Sequence, residues 1–291
     1  MKQTIFTGCA AALVTPFTRD GGAVDYDLFE SLCEYQIAHR TDALVIAGTT
    51  GESPVLSKDE RKQLFSNAVK CACGRIPVIA GTGSNNTEEA VRKSNEAEKQ
   101  GVNALLVVTP YYNKCTQESL IRHYYYIADR VSLPIILYNV PSRTGVNIFP
   151  ETYKALSEHK RIVAVKEANG NISSVSETRR LCGDALDVYS GNDDQTAPIL
   201  ALGGKGVISV AANIIPEIMH RMATDTESSG ELQIQYDELL KALFCEVNPI
   251  PVKAAMEPLW NHSFPLRLPL MSISDKNRIY INNVLREYGL H

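Results

Sequence analysis

The sequence of 291 residues contains no apolar run near the roughly 18 residues that a membrane-spanning helix needs. Its first residues, MKQTIFTG, also lack the apolar stretch of a signal peptide. Neither sign of charge dominates, since 29 Lys and Arg stand against 33 Asp and Glu for a formal net charge of −4. A general nucleic-acid binder would carry a basic surface instead. We therefore expect a cytoplasmic protein that binds neither a membrane nor nucleic acid.

Metal-binding and redox motifs are absent as well. The seven cysteines stand at positions 9, 33, 71, 73, 115, 182 and 245, and no two of them have the two-residue gap of zinc or thioredoxin-type motifs. The six histidines are scattered and give no metal-ligand spacing. We expect reduced, buried thiols and no bound metal.

The sequence does contain a repeated alternation of strand and helix patterns. Eight apolar, β-rich runs are predicted as strands: 8–17, 43–48, 77–80, 104–108, 134–137, 162–166, 186–189 and 206–210. Helical periodicity follows three of the early runs, at 25–39, 57–71 and 87–100. Ser57 and Glu60 form a capping-box pattern, Asn86 precedes acidic residues, and Gly101 marks a helix end.

This alternation predicts an α/β fold of the (β/α)₈ TIM-barrel type. A doubly wound open sheet is the alternative, but no Gly-x-Gly-x-x-Gly follows the first strand and the repeat continues through eight units. After about residue 225 the strand pattern stops, and helices are predicted at 231–246, 252–260 and 275–288. The predicted organisation is a barrel domain over residues 1–225 and a C-terminal helical domain over residues 226–291.

Lys166 is the residue that points most directly to chemistry. It closes the apolar run Ile162–Val165, where a buried strand should carry no charge. Such a lysine reaches solvent, pairs with an acid or loses its proton, and a neutral amine forms a Schiff base with a carbonyl substrate. Taken alone, the structural interpretation is the stronger one, because most lysines at strand ends extend to water.

Other polar and aromatic residues also fall at predicted strand ends. They are Thr49, Thr50, Tyr111, Tyr112, Tyr138, Arg143, Gly191 and Asp193. Each one alone has an ordinary structural explanation, but parallel barrel strands bring their carboxyl ends to one face. Carbinolamine and imine formation need proton transfers, which hydroxyl groups can supply. Arg143 could bind a carboxylate bidentately, and Thr50 with nearby backbone amides could bind another. The combination predicts a lyase or aldolase acting on a 2-keto acid.

Four segments resemble the dihydrodipicolinate synthase / N-acetylneuraminate lyase family. They are Gly48–Ser53 (GTTGES), Thr109–Lys114 (TPYYNK), Tyr138–Gly145 (YNVPSRTG) and Val165–Glu167 (VKE). The likeness runs from Gly8 to about Leu270 and includes NPIPVK at 248–253. Sialic-acid lyases share the glycine-rich turn, the tyrosine and the lysine, but generally lack an arginine equivalent to Arg143.

The resemblance implies the condensation of pyruvate with L-aspartate 4-semialdehyde on the route to diaminopimelate and lysine. Lys166 would form the imine with pyruvate, so that no cofactor is needed. Tyr138 would donate and accept protons, with Thr49 and Tyr112 completing the proton relay. In the family the tyrosine matching Tyr112 comes from a neighbouring subunit, which implies at least a dimer and usually a homotetramer.

The resemblance also implies the substrate contacts. Thr50 and the backbone at Ile208 would hold pyruvate, Arg143 would hold the carboxylate of the semialdehyde, and Gly191 would line the site. The regulatory site of lysine-inhibited relatives is matched in part, by Ser53, Asn85, Glu89 and Tyr111.

Two departures bear on regulation and loop structure. Lys58 and Arg61 stand where lysine-inhibited relatives carry histidines, so we expect weak or absent lysine feedback. Cys115 replaces the usual proline after Tyr-Tyr-Asn-Lys, which should change the stiffness of the loop and not the chemistry. The segment 261–265 also differs from the family pattern.

Two other functions stay open at this point. Another pyruvate-dependent aldolase or dehydratase of the same family, acting on sugar acids, is the nearest alternative, and Arg143 is the residue that discriminates against it. A non-enzymatic binding or regulatory protein on the same barrel is the second. That protein would not need a lysine, a tyrosine and a hydroxyl relay together.

Overall fold

The computed structural model describes residues 2–290 and contains a closed barrel of eight parallel strands in sequential order. This confirms the predicted (β/α)₈ barrel. The strands are β1 (Gly8–Ala12), β2 (Ala43–Ile46), β3 (Val78–Gly81), β4 (Ala104–Val108), β5 (Ile135–Asn139), β6 (Ile162–Glu167), β7 (Asp187–Ser190) and β8 (Gly206–Ser209). Strand β1 pairs with both β2 and β8, which closes the barrel.

Nine helices accompany the barrel strands. They are α1 (Tyr26–Ala38), α2 (Lys58–Ala72), α3 (Thr87–Glu98), α4 (Gln117–Ala128), α5 (Pro141–Thr144), α6 (Pro150–Leu156), α7 (Ile172–Cys182), α8 (Thr196–Ala201) and α9 (Pro216–Thr224). The capping box of Ser57 and Glu60 is present at the start of α2. Asn86 caps α3, and Gly101 has a φ of 85° where that helix stops, as the sequence predicts.

Several strand boundaries differ from the prediction, and those of β1 and β5 bear on the site. Strand β1 ends at Ala12 rather than Phe17, because the Val14 amide bonds to the Asn213 side chain instead of continuing the ladder. Strand β5 extends to Asn139, and Tyr138 pairs with Lys166 in register. Tyr138 is therefore a strand residue, which fixes its side chain more firmly than a loop would.

The buried residues separate into two groups because side chains alternate along each strand. One group fills the barrel interior and includes Ala10, Ile136, Tyr138, Ala164 and Ile208. The larger group packs between the strands and the surrounding helices. Since Ala164 and Ala168 lie in the interior group, Lys166 between them also points into the barrel.

The C-terminal residues form α10 (Ser229–Ala242), α11 (Ile250–Trp260) and α12 (Asp275–Glu287). A buried ion pair ties α11 to the barrel, with Lys253 Nζ 2.5 Å from Glu52 Oε1 and both side chains 1% exposed. Lys253 Nζ also donates to the Pro265 carbonyl, so the unusual 261–265 segment contributes to this contact. The division at residue 225 stays a prediction.

The seven cysteines are free thiols, and three of them, Cys9, Cys33 and Cys182, are buried. The expectation of buried thiols is therefore wrong for Cys73, which is exposed, and only partly right for the other three. No helix within residues 2–290 has the length and apolar character to cross a membrane. No cluster of three or more potential metal-ligating side chains is found within that range.

Candidate active site

Lys166 lies near the carboxyl end of β6 with its side chain in the barrel interior. It is 5% exposed, and its Nζ lies 4.7 Å from the centroid of the Tyr138 ring. No ion pair of residues 2–290 involves Lys166, and the ion pair at Glu52 and Lys253 is a separate one. A buried amine without a direct anionic partner, next to a phenol, is suited to attack a carbonyl group.

Glu167, the neighbour of Lys166, points to the opposite side of the strand, as alternation predicts. Its carboxylate accepts hydrogen bonds from the Tyr153 hydroxyl at 2.7 Å, the Asn139 amide at 2.9 Å and the Asn169 backbone at 2.9 Å. Burial raises the pKa of Glu167 to about 7, although these donors oppose the shift. Glu167 therefore fixes the strand end and is not a direct partner of Lys166.

A cavity of about 260 Å³ opens at the barrel mouth, and Tyr138, whose ring lies beside Lys166, is part of its lining although Lys166 itself is not. Its lining includes Thr49 from the turn after β2, Tyr138 from β5 and Arg143 from α5. Three residues predicted from separate segments thus share one cavity. Hydroxyl groups and a guanidinium group around an apolar cavity suit a small carboxylated substrate.

Thr50 lies at the same turn but is 2% exposed, and its Oγ1 accepts a hydrogen bond of 3.0 Å from Asn248 Nδ2. The Asn248 carbonyl in turn accepts a hydrogen bond of 3.4 Å from Arg143 Nη2. Asn248 stands in the segment that leads into α11, so the C-terminal helices contact two predicted site residues.

The remaining predicted contacts come from β7 and β8. Gly191 follows β7, where an added Cβ would lie 2.8 Å from the Ala168 Cβ and 2.9 Å from the Glu167 carbonyl. Only glycine fits this close approach without displacement. Ile208 lies within β8, fully buried and paired with Ala10. Gly191 therefore follows the strand next to β6, and Ile208 lies one strand further round the barrel.

Tyr112 is not brought to the site within its own chain. Its side chain is 87% exposed, and its backbone has a φ of 75°, which is unusual for a residue other than glycine. A projecting tyrosine on a strained loop is available to contact a second subunit, but its proposed place in the relay is untested.

The residues predicted for lysine regulation lie partly at the same cavity. Ser53 and Tyr111 line it together with Lys93, whereas Asn85 does not. Glu89 is already engaged, with its carboxylate 2.5 Å from Arg92. Lys58 pairs with Glu96 at 2.8 Å, and Arg61 Nη1 donates to the Leu56 carbonyl.

Sequence reasoning missed several residues that shape the site. Asn248 and Lys253 were seen only as part of a family segment, and Glu52 only as part of the glycine-rich turn. Lys93 on α3 has no sequence signal beyond helical periodicity. Burial lowers the pKa of Lys93, and repulsion from the nearby Arg61 lowers it further.

The fold and site together define a (β/α)₈ barrel with a buried lysine near its mouth, an arrangement suited to Schiff-base chemistry on 2-keto acids. The sequence model described as the Dihydrodipicolinate synthetase family matches residues 5–288. The chain belongs to this family.

Individual relatives match this chain over nearly their full lengths. The chain is 52% identical to 4-hydroxy-tetrahydrodipicolinate synthase 1 of Clostridium acetobutylicum, with 99% of each chain covered. It is 44% identical to the dihydrodipicolinate synthase of Thermotoga maritima, with a TM-score of 0.96 over 99% of this chain and 100% of that one. The lysine-bound enzyme of Cyanidioschyzon merolae is 39% identical, with a TM-score of 0.95 over 99% and 100%.

Proposed function

We propose that this chain condenses pyruvate with L-aspartate 4-semialdehyde to form 4-hydroxy-tetrahydrodipicolinate, a step in diaminopimelate and lysine biosynthesis. The observation that carries the proposal is the buried amine of Lys166 beside the Tyr138 ring at the mouth of the barrel. Membership of the family and 52% identity to a relative of that activity support the choice of substrates.

The first steps follow from the chemistry of an amine and a ketone. Lys166 Nζ adds to C2 of pyruvate, and a proton reaches the former carbonyl oxygen to give a carbinolamine. Loss of water leaves a protonated imine, and loss of a proton from C3 gives an enamine. No cofactor is required in this scheme, because the lysine itself supplies the covalent intermediate.

The enamine then forms the new carbon–carbon bond with the aldehyde carbon of the semialdehyde. Attack of the amino group of the semialdehyde on C2 closes the ring and releases Lys166 as a free amine. Arg143 is positioned to bind the carboxylate of the second substrate, since it lines the cavity that also holds Thr49 and Tyr138.

The proton-transfer roles rest on this shared cavity. Tyr138 is the proposed proton donor and acceptor, because its ring centroid lies 4.7 Å from Lys166 Nζ. Thr49 and a Tyr112 from a second subunit are proposed to extend the relay. Thr50, in the turn after β2, and the backbone at Ile208 in β8 are proposed to hold pyruvate, and Gly191 after β7 is proposed to line the site.

Assembly and regulation are part of the proposal. The exposure of Tyr112 supports at least a dimer, and the homotetramer remains a prediction. The cations Lys58, Arg61 and Lys93 support weak or absent inhibition by lysine, since each would repel its ammonium group. The predicted cytoplasmic location also remains a prediction.

Reductive trapping tests the central step. The protein is incubated with pyruvate and borohydride, and intact and peptide masses locate any adduct. We expect one pyruvate-derived adduct on Lys166, none in Lys166→Met, and an unchanged adduct in the surface control Lys160→Met. An adduct elsewhere, or none, contradicts the proposal. A coupled assay comparing aspartate semialdehyde with sugar-acid substrates then tests the acceptor.

A further inference from the structure

We propose that Glu52 and Lys253 are positioning residues that hold the turn after β2 in the shape that binds pyruvate. The inference rests on the proposed imine chemistry at Lys166, and it gives the buried ion pair a role beyond tying α11 to the barrel. Neither side chain lines the cavity at the barrel mouth, so both act through the backbone of the turn.

This turn, which we call the 47–53 turn, forms one wall of the cavity. Ala47 and Thr49 line the cavity from the start of the turn, and Ser53 lines it from the end. Thr50, which is proposed to hold pyruvate, stands between these lining residues. A displacement of the turn would therefore change the cavity wall and move the Thr50 hydroxyl together.

The backbone of the 47–53 turn adopts a conformation that its sequence does not favour. Ala47 has a φ of 54° and Glu52 a φ of 53°, in the left-handed region that residues other than glycine seldom adopt. The Glu52 amide closes the turn with a hydrogen bond of 3.1 Å to the Thr49 carbonyl. A strained backbone of this kind persists only where the surrounding contacts determine it. The contacts of Glu52 therefore decide where Thr49 and Thr50 lie.

Both carboxylate oxygens of Glu52 are held by the C-terminal part of the chain. Oε1 lies 2.5 Å from Lys253 Nζ, and Oε2 accepts a hydrogen bond of 3.1 Å from the Arg267 amide. Lys253 is fixed in turn, since its Nζ donates to the Pro265 carbonyl at 2.9 Å and lies 4.3 Å from the centroid of the Phe17 ring. The side chain of Glu52 is thus anchored at both oxygens.

Arg267 is itself fixed against the barrel. Its guanidinium group pairs with Glu60 at 2.6 Å and donates hydrogen bonds of 3.0 Å to the Gly21 and Gly22 carbonyls. The backbone amide that binds Glu52 Oε2 therefore has a defined position relative to the barrel.

A displaced turn and a partly unfolded protein give different results when pyruvate is varied. Loss of folded protein lowers the rate at every pyruvate concentration and leaves the half-saturating concentration unchanged. Displacement of Thr50 weakens binding in every folded molecule, so the half-saturating concentration rises. This difference separates a positioning role from a purely structural one.

Glu52→Gln with Lys253→Met removes the ion pair without leaving a buried charge unpaired. Glu257→Gln with Arg278→Met is the matched control, because Glu257 also lies on α11 and its Oε2 is 2.5 Å from Arg278 Nη1. The initial rate of cyanoborohydride trapping on Lys166 is measured against pyruvate concentration for the wild type and both double variants. Circular dichroism checks that each protein is folded.

We expect the half-saturating pyruvate concentration to rise at least about tenfold when the pair of Glu52 and Lys253 is removed, and to stay within about twofold of the wild type in the control. A folded variant with an unchanged half-saturating concentration overturns the inference. An equal rise in both double variants also overturns it, because the effect would then come from loosening α11 in general. Absence of trapping in the wild type would instead overturn the proposed function.

Glu52→Asp tests the same inference if the double variant does not fold. Aspartate keeps the charge and tolerates the left-handed backbone better than most residues, but its side chain is one methylene shorter. Its carboxylate can meet both Lys253 and the Arg267 amide only if the turn moves toward them. We expect the half-saturating pyruvate concentration to rise at least about threefold, and an unchanged value overturns the inference.

Discussion

Asn248 Nδ2 donates a hydrogen bond of 3.0 Å to Thr50 Oγ1, across 198 residues of sequence. This contact joins the segment leading into α11 to the turn after β2, where pyruvate is proposed to bind. The Asn248 carbonyl also accepts from Arg143. The C-terminal helices thus reach both proposed carboxylate-binding residues through one side chain and its backbone.

Asn248→Ala should weaken pyruvate binding, because Thr50 loses the partner that fixes its hydroxyl. A hydrogen bond contributes about 1 kcal/mol net, so we expect the KM for pyruvate to rise about fivefold. Steady-state kinetics with pyruvate varied measure the change. Asn283→Ala on the exposed face of α12 is the control and should behave as the wild type. An unchanged KM in Asn248→Ala would separate this contact from substrate binding.

How much of this site could be predicted depends on whether its residues have a local signal. Lys166, Tyr138 and Arg143 follow or end apolar strands, so hydrophobic periodicity and the family segments located them. Asn248 and the pairing of Lys253 with Glu52 depend on contacts between distant parts of the chain, which no local periodicity encodes. The early end of β1 has the same cause, since the Asn213 side chain that accepts from the Val14 amide comes from the turn after β8, 199 residues further along the chain.

The buried ion pair of Glu52 and Lys253 should be costly to break from one side. Lys253→Met leaves a buried carboxylate without its cation, for which we expect a loss of about 3–5 kcal/mol in the free energy of unfolding. Glu52→Gln with Lys253→Met should lose less, because no charge is then stranded. Lys241→Met, in the exposed pair with Asp237, is the control for loss of a lysine. Urea unfolding measures all four proteins, and equal losses in the single and double variants would contradict the explanation.

Glu167 should make stability fall with rising pH. Burial raises its pKa to about 7, above the ordinary value of 4.5. Between these values the unfolded carboxyl has ionised while the folded one retains its proton, so the folded state loses stability as pH rises through this window. Relative to Glu167→Gln, the free energy of unfolding of the wild type should fall by up to about 3 kcal/mol across this window.

The measurement is the free energy of unfolding of both proteins from below the lower value to above the upper one. The difference between wild type and Glu167→Gln should favour the wild type most at the acidic end and decline toward neutral pH. A difference that stays constant would show that folding does not shift the pKa of Glu167, and one that grows with pH would show that folding lowers it.

Lysine should inhibit this protein weakly or not at all. Two cations stand where lysine-inhibited relatives carry histidines, and both are fixed by contacts. Lys58 pairs with Glu96, and Arg61 donates to the Leu56 carbonyl. A third cation, Lys93, lines the nearby cavity. Steady-state rates with and without lysine test this expectation directly. Inhibition at submillimolar lysine would contradict it. The variant carrying both Lys58→His and Arg61→His should be inhibited more strongly, because histidines then replace two permanently charged side chains that repel the ammonium group of lysine.

Tyr138→Phe should slow turnover by roughly 10²-fold or more, since the variant keeps the ring beside Lys166 and loses only the hydroxyl that we propose to transfer protons. The fold should persist because the rest of the side chain still packs in the barrel interior. Tyr125→Phe is a matched control, as its hydroxyl bonds to the Ala155 carbonyl outside the site. Steady-state turnover and circular dichroism of both variants provide the test. Near-normal turnover in Tyr138→Phe would remove this residue from the relay and leave Thr49 as the proposed relay hydroxyl on the same cavity.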